Sequence, residues 1–171
     1  MVAASIVERV QTYLTRWKCS LCLRTFTLYP DFVLPHKCYA LPFIQERCAA
    51  YVEDKARTYQ EGVLQDGMPI MYEDADSGKQ LWPSTLWRWM SALGRFAETT
   101  RQALHLIKQK SPSTGLFREL GTRRIGEHKY CSKARKYTLE RCLSLLIACR
   151  VYAQLFGSAV FPELATACGF R

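Results

Sequence analysis

The chain has 171 residues, of which 49% are hydrophobic and 23% charged, and this balance excludes a disordered or fibrous protein. The length allows one domain or two small ones, and the net charge of +9 favours a polyanionic partner, nucleic acid before an anionic membrane surface. Eight cysteines and no signal peptide indicate reduced thiols in a cytoplasmic protein. The longest apolar run, Leu143 to Ala148, is too short to cross a membrane, so we expect no membrane partner.

Basic residues are concentrated in the second half of the chain. Residues 81–171 contain fifteen of the 24 Lys and Arg but only five of the 15 Asp and Glu. Residues 49–80 are acidic by contrast, with seven Asp and Glu against three Lys and Arg. A surface that binds nucleic acid is therefore expected mainly in the second half, although a merely basic protein would show the same composition.

A short β-hairpin with two cysteines in its turn is predicted near the start of the chain. Gln11–Lys18 has the β-branched and aromatic content of a strand, and Arg24–Leu28 would be its antiparallel partner. Between them, Cys19 and Cys22 have the C-x-x-C spacing with which a tight turn directs two thiolates to one Zn²⁺. A two-stranded hairpin is marginal by itself, so zinc or the following helix would have to stabilise it.

Two cysteines are half of a four-ligand zinc site, and the sequence leaves the other half open. His36 and Cys38 would complete a C-x2-C-x13-H-x-C set, although ligands two positions apart in an extended chain converge poorly. Cys48 is another source of a ligand, but it falls in a predicted helix. The third alternative is that the second half is missing and that Cys19 and Cys22 are ordinary thiols.

The residues around the cysteines follow a wider pattern, basic-x-C-x-x-C-x-R-T-F-x-L-x-P and then L-P and a basic–aromatic pair. The matching positions are Cys19, Cys22, Arg24, Thr25, Phe26, Leu28, Pro30, Leu34, Pro35 and Tyr39. This segment resembles the C-terminal half of the zinc ribbon in bacterial transposase N-terminal domains and related mobile-element proteins. The resemblance implies a zinc ion, a following helix-turn-helix and duplex DNA as partner. A second copy or transposition proteins are further implied partners. The chain departs from this pattern at the zinc site, because it lacks the first C-x-x-C. It also has no recognisable acidic catalytic triad, which argues against a complete transposase.

Three helices are predicted in the middle of the chain. Pro42 suits the first turn of a helix that runs to about Glu53, and Asp54–Gln65 is predicted as the next helix. The clearest pattern predicts a helix over Ser84–Gly94, with Ser84 as its N-cap and Gly94 in a left-handed conformation after its last turn. Its expected core face consists of Leu86, Trp89, Met90 and Leu93.

The opposite face of Ser84–Gly94 has the chemistry of a DNA-recognition helix. Hydroxyls and early backbone N–H groups can bind phosphate, and Arg88 can reach guanine in the major groove. Paired with Asp54–Gln65, this helix would form a helix-turn-helix with a long turn. The proposed DNA contacts are Ser84, Thr85, Trp87 and Arg88. The alternative is an amphipathic core helix whose tryptophans pack inside the protein.

The rest of the chain predicts two more helices and a basic segment. A helix over Phe96–Lys110 is followed by a boundary loop at Ser111–Gly115, and an apolar helix over Tyr137–Phe156 implies burial against other helices or a second copy. Arg118–Lys136 contains seven Lys and Arg against two Glu, a run that is usually solvated but can also neutralise phosphates. The contacts proposed there are Arg123, Arg124, Lys133, Arg135 and Lys136.

These elements predict a mainly α fold, in which a small N-terminal β-hairpin (a partial zinc ribbon) precedes a helical bundle that contains a helix-turn-helix. The expected divisions are residues 1–40, 41–110 and 111–171. The predicted function is that of a non-catalytic DNA-binding protein of mobile-element origin, accessory or regulatory. One alternative is a protein-interaction or dimerisation module. Another is a nuclease with scattered carboxylates, drawn from Asp66, Glu73, Asp74 and Asp76.

Overall fold

Helices make up most of the protein. The structure is a computed structural model that describes residues 6–7, 11–30, 32–34, 37, 39–54, 57–65, 68–72 and 80–161. In chain order the helices are α1 (Leu41–Glu53), α2 (Tyr59–Gly62), α3 (Pro83–Leu93), α4 (Ala97–Lys110), α5 (Leu116–Thr122) and α6 (Lys133–Phe156), with a 3₁₀ turn at Glu127–Lys129. The prediction of a mainly α protein with a small N-terminal hairpin is confirmed.

The described strands are short and form three separate pairs. An antiparallel hairpin joins β2 (Thr15–Lys18) to β3 (Thr25–Leu28), with Thr15 opposite Leu28. This is the predicted hairpin, but β2 begins at Thr15 instead of Gln11, because further pairing would reach Pro30, which has no N–H to donate. The other pairs have two residues a strand: β1 (Ile6–Val7) parallel to β6 (Met71–Tyr72), and β4 (Leu64–Gln65) antiparallel to β5 (Met68–Pro69).

Helix α6 is the centre of the bundle. It packs most extensively against α4, then against α3 and α1. It begins four residues before the predicted Tyr137, because the Ser132 side chain accepts a hydrogen bond from the Arg135 N–H and caps the helix. It ends at Gly157, whose φ of +69° is the left-handed conformation that favours glycine. The predicted burial of this helix against the preceding helices is confirmed, with Leu139, Cys142, Leu145 and Ala148 all fully buried.

Helix α3 has the predicted core face but different ends. Leu86, Trp89, Met90 and Leu93 are all buried. The helix begins at Pro83 with Trp82 as its N-cap, so the prediction that Ser84 is the N-cap is wrong. Proline is pre-set for the first helical position, which moves the start back by one residue. The left-handed conformation predicted for Gly94 is also wrong, because its φ and ψ of −63° and −13° are right-handed.

The helix predicted over Asp54–Gln65 is reduced to the single turn α2. Helix α1 ends at Glu53, and Asp54 is extended. The next turn starts only after Thr58, which forms a reciprocal capping box with Glu61. The chain then enters β4 at Leu64. Helix α2 nevertheless packs against α3, so the two segments that the sequence pairs are neighbours.

The remaining helices follow the predictions closely. Helix α4 begins one residue after the predicted Phe96 and ends at the predicted Lys110. Part of the basic segment forms α5, the 3₁₀ turn and the first turn of α6. None of the described helices is long and apolar enough to cross a membrane. The three predicted divisions of the chain stay a prediction, and the candidate residues His36, Cys38, Asp66, Glu73, Asp74 and Asp76 lie outside the described residues.

Candidate nucleic-acid interface and cysteine hairpin

Helix α3 lies beside the N-terminal half of α6. The guanidinium carbon of Arg135 is 4.5 Å from the centre of the Trp87 ring. Further along both helices, a Cβ at Gly94 would be 2.8 Å from the carbonyl oxygen of Thr138, so glycine is needed for this close approach. Helix α3 therefore contacts α6 both at Trp87 and at Gly94, and the exposed sides of the two helices lie next to each other.

Exposed cations lie along both edges of this contact. Ser84, Arg88 and Arg95 are exposed and follow at intervals of four and seven residues, which places them on one side of α3 and its continuation. On α6, Lys133 and Tyr137 are exposed four residues apart. The Arg141 guanidinium lies 5.3 Å from the centre of the Tyr137 ring. We call this set the α3–α6 surface: Ser84, Arg88, Arg95, Lys133, Tyr137 and Arg141.

The cations of the α3–α6 surface are not neutralised by the described part of the chain. No described carboxylate forms an ion pair with Arg88, Arg95, Lys133 or Arg141. Arg141 donates to the carbonyl oxygen of Arg95 at 3.5 Å, while its Nε is buried without a described partner. Arg88 and Lys133 were predicted as DNA contacts, whereas Arg95 and Arg141 were missed. Arg95 could have been found by extending the helical spacing seven residues beyond Arg88.

Two predicted DNA contacts, Trp87 and Arg135, are used in a stack within the protein. The Arg135 guanidinium carbon lies 4.5 Å from the centre of the Trp87 ring and 5.2 Å from that of the Tyr59 ring, and the guanidinium donates a hydrogen bond to the Tyr59 hydroxyl. The Tyr59 ring stacks on Tyr51, with 4.4 Å between centres and 4° between planes. Lys129 Nζ lies 4.3 Å from the centre of the Tyr51 ring. This stack connects α1, α2, α3 and α6, so its members stabilise the fold.

Lys129 belongs to the basic segment but is not solvated. Its side chain is buried, and its ammonium donates hydrogen bonds to the carbonyl oxygens of Tyr51 and Asp54. These carbonyls end α1, where the helix dipole favours a cation. Burial lowers the pKa of Lys129 below its usual value because desolvation disfavours the charged form. Lys129 is therefore a helix-capping residue of the bundle.

Arg123 and Arg124 lie away from the α3–α6 surface. Arg123 is 3.9 Å from a Glu53 oxygen and 3.5 Å from a Glu119 oxygen, and Arg124 donates to the carbonyl oxygen of Gly121 at 2.8 Å. Both arginines line a cavity of about 270 Å³ with Leu143 of α6. Leu143 follows Arg141 by two positions, which is about 200° around a helix. The two groups of cations therefore lie on opposite sides of α6.

The other proposed contacts have mixed surroundings. Lys136 lies 3.9 Å from a Glu140 oxygen and 5.4 Å from the centre of the Tyr130 ring, so its charge is partly neutralised on the protein. Thr85 is half-buried, and its N–H donates to the Trp82 carbonyl oxygen at 2.9 Å. Ser84 is exposed in the first turn of α3, where no side chain caps the helix. Of these three, Ser84 is the most available to a ligand.

The cysteine pair lies in the turn between β2 and β3. The Cys19 N–H donates to the Arg24 carbonyl oxygen at 2.8 Å, and the Leu23 N–H donates to the Cys19 carbonyl oxygen at 3.0 Å. Leu23 has a φ of +58°, the left-handed conformation that side chains other than glycine adopt at a cost. The turn is therefore tightly closed, with both cysteines inside it.

Backbone groups in this turn favour a thiolate at Cys19. Hydrogen bonds to its sulfur from the N–H groups of Cys22 and then Leu21, together with the neighbouring Cys22 thiol, lower the pKa of Cys19 below its usual value. The thiolate is the form of cysteine that binds metal. The two adjacent sulfurs and their N–H donors therefore fit half of a tetrahedral zinc site.

The other half of a zinc site is not supplied by the described residues. Within the described ranges, no group of three or more His, Cys, Asp and Glu side chains is close enough to hold one metal ion. Cys48 is fully buried in the core, where it interacts with Cys142, so the alternative in which Cys48 is a ligand is wrong. The set Cys19, Cys22, His36 and Cys38 stays a prediction because its last two members are not described.

Comparisons with known proteins do not assign the chain to a family. No protein-family model, no curated protein and no solved structure matches the chain. Inferences about function therefore depend on the side chains themselves.

Proposed function

We propose that the protein binds duplex DNA through the α3–α6 surface and acts as an accessory or regulatory DNA-binding protein without catalytic activity of its own. The observation that supports this is a group of cations on one surface, the exposed Arg88, Arg95 and Lys133 and the half-buried Arg141, with no described carboxylate paired to them. Mobile-element origin is part of the proposal and rests on the resemblance of the cysteine segment alone.

Electrostatics favour a phosphate backbone as the ligand of this surface. Each exposed cation that contacts a phosphate releases condensed counterions, and this term supplies most non-specific affinity for DNA. The net charge of +9 adds long-range attraction to a polyanion. The α3–α6 surface is therefore expected to bind duplexes of many sequences, with Arg88 as the candidate for base contact.

The start of α3 supports the same ligand. Trp82, its N-cap residue, provides no side-chain hydrogen bond to the first turn, and Ser84 is exposed there. Pro83 has no N–H and the Thr85 N–H donates to the Trp82 carbonyl oxygen, so the Ser84 N–H and the Ser84 hydroxyl are the donors that this turn offers to a phosphate oxygen. Trp82 itself is 60% exposed and can lie against the sugar–phosphate edge. Ser84 belongs to the α3–α6 surface, and Trp82 lies two residues before it in the chain.

Fluorescence anisotropy with a labelled duplex of about 20–30 base pairs tests the proposal through its salt dependence. We expect binding at ~50 mM salt that weakens steeply as salt rises. Arg88→Ala, Arg95→Ala and Lys133→Ala should each lower the affinity roughly 3–10-fold and reduce the salt slope by about one. Absence of binding by the intact chain at low salt would contradict the proposed function.

Arg150→Ala is the matched control. It removes the same charge from α6, but Arg150 forms an ion pair with Glu53 at 2.6 Å. It follows Arg141 by nine positions, about half a turn away around the helix, so it is on the opposite side. We expect little change in DNA affinity. An equal loss in Arg150→Ala and Arg88→Ala would mean that only total charge matters and would remove the α3–α6 surface from the proposal.

A second function, protein interaction, is favoured by one observation at the hairpin. Its turn exposes Leu21 and Leu23, by 93% and 65% respectively, beside the two cysteines. Apolar side chains grouped on an exposed projection are typical of a contact surface. This interaction is compatible with DNA binding because it uses a different part of the molecule.

A further inference from the structure

The hairpin has a chemistry that the DNA-binding proposal does not use. Its turn holds two cysteine sulfurs side by side, and backbone N–H groups stabilise the thiolate form of Cys19. Cys22 is exposed, and Cys19 is only partly covered. Zn²⁺ in a structural site needs four protein ligands in a tetrahedron. A single hairpin therefore has room on its open side for two ligands from elsewhere.

The described part of the same chain offers no such ligands. No other described Cys, His, Asp or Glu side chain lies near enough to form a group of three with these sulfurs. The hairpin also projects from the bundle, since all four residues of β2 are exposed. The turn therefore lies in solvent with Cys22 exposed, and an identical turn can approach it there.

The surface of the hairpin fits a second hairpin. Leu28 pairs with Thr15, two residues before Trp17, so Leu28 and Trp17 share one face, and they are 49% and 54% exposed. Leu21 and Leu23 are exposed at the turn itself. A metal site between two turns would bring these apolar side chains together and remove them from water.

The charge of the hairpin matches a four-thiolate centre. Zn²⁺ with four thiolates has a net charge of −2, which nearby cations stabilise. Arg16, Lys18 and Arg24 flank the cysteines and are exposed. No described carboxylate pairs with them. Two copies without metal would repel one another at this point, so the ion is expected to control their association.

We propose that two copies of this chain associate through their hairpins, with Cys19 and Cys22 of both copies coordinating one Zn²⁺. Each thiol loses its S–H proton to solvent as its sulfur–zinc bond forms, and no oxidation occurs. The dimer holds two α3–α6 surfaces in one particle, but its formation does not depend on DNA binding.

The test is a zinc titration of the reduced, metal-free full chain in the absence of DNA. Light scattering during size-exclusion chromatography gives the mass, and atomic emission gives the bound zinc. We expect a monomer of 19.7 kDa to become a particle of twice that mass with one zinc per two chains. A chelator should return it to the monomer. Because DNA is absent, failure of the DNA-binding proposal would leave this result unchanged.

Substitutions identify the ligands. Cys19→Ser and Cys22→Ser should abolish both zinc binding and dimerisation, while circular dichroism remains unchanged because the hairpin lies outside the helical core. Cys131→Ser is the control, since Cys131 is also exposed but lies before α6. It should leave both properties intact, as should His36→Ala and Cys38→Ala.

Three results would overturn the proposal. One zinc in a monomeric chain, lost in His36→Ala or Cys38→Ala, would assign all four ligands to one copy. A dimer that forms equally well without zinc would remove the metal from the interface. Absence of stoichiometric zinc under reducing conditions would make Cys19 and Cys22 ordinary thiols.

Discussion

The helical bundle and the hairpin place cysteine in opposite environments. In the bundle, burial and the neighbouring Cys142 thiol raise the pKa of Cys48 well above its usual value, and burial raises the pKa of Cys149 to about 12. In the hairpin, backbone N–H groups lower the pKa of Cys19. The same residue type is thus a small apolar core residue in one region and a candidate metal ligand in the other. Local environment, and not cysteine spacing alone, decides between these roles.

The largest expected effect is a difference in thiol reactivity between the two regions. At pH 8, a pKa of about 12 leaves on the order of one Cys149 in ten thousand as the reactive thiolate. Cys48 and Cys142 are also shielded by full burial. We therefore expect iodoacetamide to modify Cys19 and Cys22 at least ~10³-fold faster than Cys48, Cys142 and Cys149, as measured by mass spectrometry of peptides.

The exposed Cys131 is the reference for this measurement because it belongs to neither set. It should react readily at pH 8, and all these cysteines should react in denaturant. Raising the pH towards 12 should accelerate the reaction of Cys149, since its thiolate fraction rises until the pH reaches its pKa. If Cys142 reacts in the native protein as fast as Cys131, the core around α6 is not packed as described.

The second-largest expected effect is on stability, when one leucine is replaced by alanine in the bundle and one in the hairpin. Leu86 of α3 is fully buried in the core, so Leu86→Ala should lower the free energy of unfolding by about 2–5 kcal/mol. Leu21→Ala in the hairpin removes a side chain that is already in water, so it should change the free energy of unfolding by less than ~0.5 kcal/mol. Urea unfolding followed by circular dichroism distinguishes the two. Similar losses would mean that the hairpin packs on the bundle.

The same contrast explains how much of the fold could be predicted from sequence. The core face of α3 was predicted because its buried residues recur with the helical period. The burial of α6 was predicted because most of that segment is apolar. The structure of Asp54–Gln65 was not predicted correctly, because the spacing of its apolar residues indicates a longer helix than the single turn α2 that the chain forms. Thr58 and Glu61 contain the signal that was missed, since a capping box marks where a helix begins and here places that start after Thr58.

The candidate site could be predicted only in part. The exposed face of α3, including Arg88, follows from local periodicity. The contact of Arg135 with Tyr59 could not be predicted in this way, because the two residues are 76 positions apart in the chain. The same holds for the contact of Lys129 with Tyr51, which are 78 positions apart. A run of cations in sequence gives no information about which members meet an aromatic ring or a helix end. That distinction depends on long-range packing.

A pair of glycine substitutions separates close packing from backbone conformation in the bundle. A Cβ at Gly94 would be 2.8 Å from the Thr138 carbonyl oxygen and 3.2 Å from that of Met90, both backbone atoms. Gly94→Ala should therefore push α3 from α6 and cost about 1–3 kcal/mol. A Cβ at Gly157 meets nothing within 4 Å. Gly157→Ala should therefore lower the free energy of unfolding by about 1 kcal/mol, which is the cost of placing alanine in a left-handed conformation.

Urea unfolding measures both substitutions, and Gly121→Ala provides the reference because a Cβ there has open space and no positive φ is involved. It should leave the free energy of unfolding unchanged or slightly raised, since alanine favours a helix. A larger loss for Gly157→Ala than for Gly94→Ala would show that the approach of α3 to α6 is not limited by Thr138.

The smallest effect concerns the hairpin turn. Leu23 is the one described residue other than glycine with a positive φ, at a cost of roughly 1–2 kcal/mol. Leu23→Gly removes this cost. Glycine also loses more backbone entropy than leucine when the turn becomes ordered, and this loss offsets about 0.5–1 kcal/mol of the gain. Since Leu23 is 65% exposed, little burial is lost. We expect zinc affinity to rise a few-fold, measured by competition with a chelator.

Leu21→Gly is the control for this small gain. Leu21 is in the same turn and also exposed, but its φ is not positive, so glycine brings only added freedom there. Zinc affinity should fall slightly. If both glycine variants weaken zinc binding equally, the left-handed turn at Leu23 is not the conformation of the metal-bound hairpin. The two sulfurs would then have to be brought together by the ion itself, at the expense of its affinity.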